Sequence, residues 1–168
     1  MKKALAVLIP LALCATSAFA WAENSMVVRW ASIVGVITAP AVDNPVAGIH
    51  AGAGPWSVRS GHARVNLSNG NTTFDVDGLV LNGGNSTGTP GPVTAVTGTL
   101  VCNAGTTTAS ILDTPAVRLS TQGDAHFSGQ ISGVPAACEN PLFLIRIAAP
   151  AGAAGRWIGT AGERHIED

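Results

Sequence analysis

Asp75 and Asp77 in "TFDVDG" stand two residues apart, and Asp124 and His126 in "GDAHFSG" repeat that spacing further along the chain. On an extended strand residues i and i+2 share a face and lie about 7 Å apart, a separation that suits a bound cation or a glycosidase-like pair of carboxylates. If the two strands are neighbours, Asp75, Asp77, Asp124 and His126 form one oxygen and nitrogen metal cluster. If they are not, these are solvated groups on outer strand faces, and no full calcium loop follows Asp75. Ser60-Gly61-His62 brings a hydroxyl near an imidazole, but sequence neighbours on a strand rarely meet in triad geometry, and G-x-S-x-G is absent. "GIHAGAGPW" is glycine-rich yet lacks the G-K-[ST] of a phosphate cradle. His50, His62, His126 and His165 are too few for a copper/zinc dismutase and include no His-x-His pair. With no complete catalytic constellation, the reading is a non-enzymatic protein with no cofactor.

Binding asks for less. Trp56 and Trp157 would stack on sugar rings if exposed, but a β-domain with so few aromatics needs them in its core. Arg59, His62 and Arg64 would make a modest anion site if they cluster near Trp56, and a solvated face otherwise. A glycan or protein partner stays open on these residues.

Cys102 ends "TLVC" and Cys138 lies in "PAACENP", 36 positions further on. Neither belongs to a CxxC motif, and no His lies at zinc spacing from either. An oxidising location would make them a disulfide, which for a loop of this length stabilises by roughly 4 kcal/mol on the chain-entropy model. The opening residues point to such a location. "MKKALAVLIPLALCATSAFAWA" has Lys2 and Lys3, an apolar run from Ala4 to Ala15, and small residues up to Ala20, the pattern of a bacterial secretory signal. The run is too short to span a bilayer and holds Pro10. Cleavage falls after Ala20 or after Ala22, and Cys14, preceded by Leu13, leaves with the signal. The expected organisation is a signal over 1–20, a β-domain over 21–160 and a charged, frayed tail over 161–168, secreted or periplasmic.

Both lysines lie in the signal, so the mature chain has 7 arginines, no lysine and 10 acidic residues, a net charge of −3. That balance gives no footprint for nucleic acid and excludes lysine-based catalysis. No later apolar run reaches membrane-spanning length.

Elements that could position these groups are strands. From Trp56 onward the chain runs in short period-two segments rich in Val, Thr, Ile and Leu, divided by Gly, Asn and Pro clusters. The phase in "WSVRSGHARVNL" shifts at Ser60-Gly61 and predicts a bulge there. Phe74 and Val76 face in against Asp75 and Asp77. Val96, Gly98, Leu100 and Cys102 share an inward face, as do Ala125, Phe127 and Ile131. "PLFLIRIAA" is apolar on both faces except at Arg146, as a central or covered strand would be. "GRWIGTAG" predicts a short last strand, and residues 81–92 a mobile loop. In "SMVVRWASIVGVITAP" the density of Val and Ile predicts a strand, the domain's own first or, as an alternative, one that pairs with another subunit through 26–38. About eight strands imply an all-β, single antiparallel β-sandwich, with a barrel as the alternative.

The strings "DGLVLNGG", "GPVTAVTGTLVC", "VRLSTQGDAHFSGQI", "PAACENPLFLIRI" and "GRWIGTAG", over about residues 47–161, resemble a group of small exported bacterial proteins with the same order of motifs. The resemblance implies the β fold and the Cys102–Cys138 disulfide, and no activity or site residues.

Overall fold

The computed structural model describes residues 26–38, 42–148 and 154–167; the signal and both cleavage positions lie outside them. It is all-β. Eleven strands follow one another as β1 (Val27–Gly35), β2 (Trp56–Ser57), β3 (Ser60–Asn66), β4 (Asn71–Asp77), β5 (Val80–Leu81), β6 (Ala95–Cys102), β7 (Ser110–Asp113), β8 (Val117–Arg118), β9 (Ala125–Gln130), β10 (Leu142–Ala148) and β11 (Ala154–Glu167). Nine of them form one antiparallel sheet in the order β7-β6-β10-β11-β1-β3-β4-β9, with β8 also on β6, while β2 and β5 pair as a small second sheet. The antiparallel β fold expected from the alternation is present, and so is the disulfide expected from the two cysteines. Its two facing layers come from a single sheet that curls over on itself.

The curl is visible in what touches what. Phe74 on β4 stacks on Phe127 of β9, with ring centroids 5.7 Å apart, and leans on Phe143 of β10 at 5.8 Å. Phe143 in turn meets Trp30 of β1 at 5.6 Å. Strands far apart in sheet order therefore share one aromatic core, and β6 closes on it. A Cβ at Gly98 would lie 2.6 Å from Phe143 Cζ and 2.8 Å from Phe74 Cδ1, so only glycine lets β6 approach this closely. β10 runs between β6 and β11 as a covered strand, with Phe143, Leu144 and Ile145 fully buried.

Polar groups seal the sheet where chain direction changes. β7 and β8 are successive pieces of the strand beside β6, interrupted at Pro115, which has no N–H to give to a ladder. The buried Thr114 fills that gap: its hydroxyl accepts from Gly98 N at 3.0 Å and its carbonyl accepts from Thr97 Oγ1 at 2.5 Å. Between β3 and β4, Asn66 Oδ1 accepts from Ser68 N at 2.9 Å, and Gly70, with φ of 75°, donates to Asn66 O at 2.7 Å.

Several expectations change. Residues 161–167 are not frayed: β11 continues to Glu167, held by pairing with β1 from Gly35↔Gly159 to Val27↔Glu167, although "ERHIE" is charged and exposed. The β-domain thus extends beyond residue 160, and its last strand is long. β1 is a strand as expected, but β11 and β3 occupy both its edges, which leaves no edge within 27–30 for another subunit. No bulge occurs at Ser60-Gly61, where Ser60↔Asp77 and Gly61↔Val76 stay in register. The phase shift instead reflects a change of sheet at Val58-Arg59, between β2 and β3. The 81–92 loop is closed by its own hydrogen bonds, Leu81 N to Thr89 O at 2.9 Å and Gly88 N to Leu81 O at 2.9 Å.

Cys102 is fully buried at the end of β6 and bonded to Cys138 in the connection from β9 to β10. That connection carries no strand of its own, and the bond fixes it to the curled sheet. The double substitution Cys102→Ser with Cys138→Ser should lower the unfolding free energy in urea by about 4 kcal/mol relative to the oxidised protein. An unchanged urea midpoint would show that the bond adds nothing to the folded state.

Candidate outer-face polar site

Strand register decides which side chains meet. His62 lies opposite Asp75, and Asp75 lies opposite His126, so β3, β4 and β9 carry one three-residue row on the outer face. His126 Nδ1 stands 2.6 Å from Asp75 Oδ1 and His62 Nε2 stands 3.2 Å from Asp75 Oδ2. Each imidazole turns one nitrogen to the carboxylate and leaves the other outward, Nε2 on His126 and Nδ1 on His62. Two residues further along β3 and β4, Ser60 Oγ donates to Asp77 Oδ2 at 2.8 Å.

The four groups considered for a metal cluster therefore separate. Asp75 and His126 meet, but Asp77 faces Ser60, and Asp124 locks a turn. It accepts from Gly78 N at 2.9 Å and from Ser120 Oγ at 3.2 Å, with Arg59 Nη2 at 3.7 Å. In the row itself the carboxylate sits between the rings, each on a different oxygen, so the three groups do not converge on one point. Among the described residues no group of three or more His, Cys, Asp or Glu side chains is placed to hold a metal ion. Asp75 and Asp77 also stand side by side on one strand rather than facing each other across a substrate bond.

Ligand candidates disperse in the same way. Trp56 and Trp157 are both buried, and Trp157 Nε1 donates to Asn44 O at 3.0 Å, so neither offers a face to a sugar. Trp56 belongs to the small sheet, Arg59 pairs with Asp124, His62 with Asp75, and Arg64 lies opposite Arg29, so the expected anion cluster near Trp56 does not form. Another ion pair lies apart, where Asp43 meets His50; the hydrogen bond from His50 holds the Asp43 carboxyl below its ordinary value.

A groove borders the polar row. β1 and β3 pair only as far as Trp30↔Ala63 and then part, opening about 630 Å³ lined by Ile33, Val34, Val58, Ser60, His62 and Asp77. The sequence reading missed this groove and the place of His62 in the row, because neither is visible without the register. "NLSNGN" held the signal: an Asn-Gly turn between two alternating runs is a hairpin mark, and counting outward from it sets Asp75 opposite His62.

No protein-family model, no curated protein and no solved structure matches the chain.

With its side chain 35 % exposed, Asp75 and its two imidazole partners are largely screened by water. Asp75→Ala should change the unfolding free energy by less than about 1 kcal/mol in urea titration, as exposed ion pairs do. A loss of several kcal/mol would show that the row holds the sheet together.

Proposed function

We propose that the chain is exported by its N-terminal signal, cleaved after Ala20 or Ala22, and works in the bacterial envelope or outside the cell as a non-enzymatic β-domain. Its role is binding or structural. The observation that carries this reading is the Cys102–Cys138 bond. Structural disulfides persist in the periplasm and outside the cell and are rare in the reducing cytosol, and the leader residues supply the route. A negatively charged mature chain without lysine makes nucleic acid an unsuitable partner.

Between the two roles, binding is supported over assembly through 26–38, because from Val27 to Trp30 both edges of β1 are taken up inside its own sheet. A glycan partner would be held by polar groups on the outer face, since the tryptophans that would stack on it are buried.

Intact mass of the protein recovered from periplasmic and culture fractions tests the proposal. The expected species begins at Trp21 or Glu23 and is lighter than the dithiol by its two thiol hydrogens. A cytosolic chain that keeps residues 1–22 and carries two free thiols at Cys102 and Cys138 would overturn it.

A further inference from the structure

The outer face holds a second row whose chemistry is the reverse of the first. His165, Arg29, Arg64, Thr73 and Ser128 lie in register across β11, β1, β3, β4 and β9. None of the five is a carboxylate. In the adjoining row Asp75 answers both imidazoles, and beyond it Asp77 answers Ser60. Here two arginines stand directly opposite each other, a repulsive cross-strand placement. Arg29 is met by Glu167, with Nε 2.8 Å from Oε2. Arg64 has no acceptor among the described residues, and its Nε is buried without a hydrogen bond.

Arg146 shows how this fold treats an arginine that it draws in from solvent. Its Nε donates to Gly155 O at 2.8 Å, Nη2 to Ala154 O at 2.7 Å and Nη1 to Asp113 Oδ1 at 3.2 Å. Arg64 is also half-buried and receives nothing comparable. The neighbouring hydroxyls of Thr73 and Ser128 have no hydrogen-bond partner among the described residues either, so three donors on adjacent strands face outward with no internal acceptor. A guanidinium fork beside hydroxyl donors matches the oxygens of a phosphate, sulfate or carboxylate group.

We propose that Arg64, with Thr73 and Ser128 beside it, forms an oxyanion-binding site on the outer face. Arg29 stands beside it with its charge already met by Glu167, so Arg64 is the cation that holds the anion. The terminal nitrogens of Arg64 and the two hydroxyls donate to the anion, and the site takes an oxyanion group either as a free ion or as the acidic group of a saccharide. It does not depend on the route of export, because the folded oxidised protein is sufficient for the test.

Nuclear magnetic resonance titration of the oxidised protein, at constant ionic strength set with chloride, measures binding of inorganic phosphate and of trigalacturonate in separate arms. Saturable shifts should appear at the Arg64, Thr73 and Ser128 amides. Arg64→Met should weaken binding at least tenfold, and Ser128→Ala, at an exposed position that leaves the fold intact, should weaken it several-fold. Arg118→Met, a change to an exposed arginine on β8, should leave it unaltered. Tighter binding of trigalacturonate than of phosphate would identify a saccharide as the source, and the reverse a free ion. The proposal is overturned if neither probe gives saturable shifts, if Arg118→Met weakens binding as much as Arg64→Met, or if Ser128→Ala and Arg64→Met both bind as the parent does.

Discussion

The approach of β6 to the aromatic core at Gly98 is the contact on which the rest of this fold depends. The twist of a nine-stranded sheet already bends it, and its inner faces meet where Phe74 of β4 and Phe143 of β10 press against a backbone that has no side chain. Burial of these rings removes large apolar areas from water, and offset ring pairs add to that gain. Around this point β1 contributes Trp30, β9 contributes Phe127, and β6 contributes Val96 and Leu100. The Thr114 hydroxyl accepts from Gly98 N and its carbonyl accepts from Thr97 Oγ1, so the backbone brought close to the rings is not left without partners.

That curl determines what the outer surface can be. Most large apolar residues are spent on the inside, including both tryptophans that a sugar would otherwise stack upon. What remains outside on β3, β4 and β9 is a set of cross-strand polar rows, fixed by register and therefore rigid. One row pairs acid with imidazole, and the next presents donors without acceptors. A binding role built on such a face would rest on hydrogen bonds and charge rather than on apolar contact. The disulfide serves the same architecture by holding the irregular crossing from β9 to β10 against β6.

Much of the inside was legible in the sequence, and the reason is physical: period two reports which side of a strand is dry. Phe74 and Val76, Ala125 and Phe127, and the inward Cys102 could be read because each sits in an alternating run with polar neighbours or beside turn residues. The outer face was less legible. Alternation says that Asp75 and His126 point outward but not which strands adjoin, so a metal cluster that included Asp77 and Asp124 could not be rejected before the register placed them with Ser60 and Ser120. The end of the C-terminal strand is not legible, because "ERHIE" is charged and exposed throughout and carries no period-two signal; its pairing with β1 is what makes it a strand. The apparent bulge near Ser60 came from the same source, since a strand that leaves one sheet for another shifts phase just as a bulge does.

The unfolding free energy of Gly98→Ala in urea, alone and combined with Phe74→Leu, tests the central contact most directly. A single methyl group would lie 2.6 Å from the Phe143 ring, so the account predicts a loss of about 1–3 kcal/mol for Gly98→Ala. It also predicts that the two substitutions together lose less than the sum of their separate effects, because the shortened side chain makes room for the methyl. A Gly98→Ala protein as stable as the parent, or losses that simply add, would contradict the claim that the sheet curls around this point.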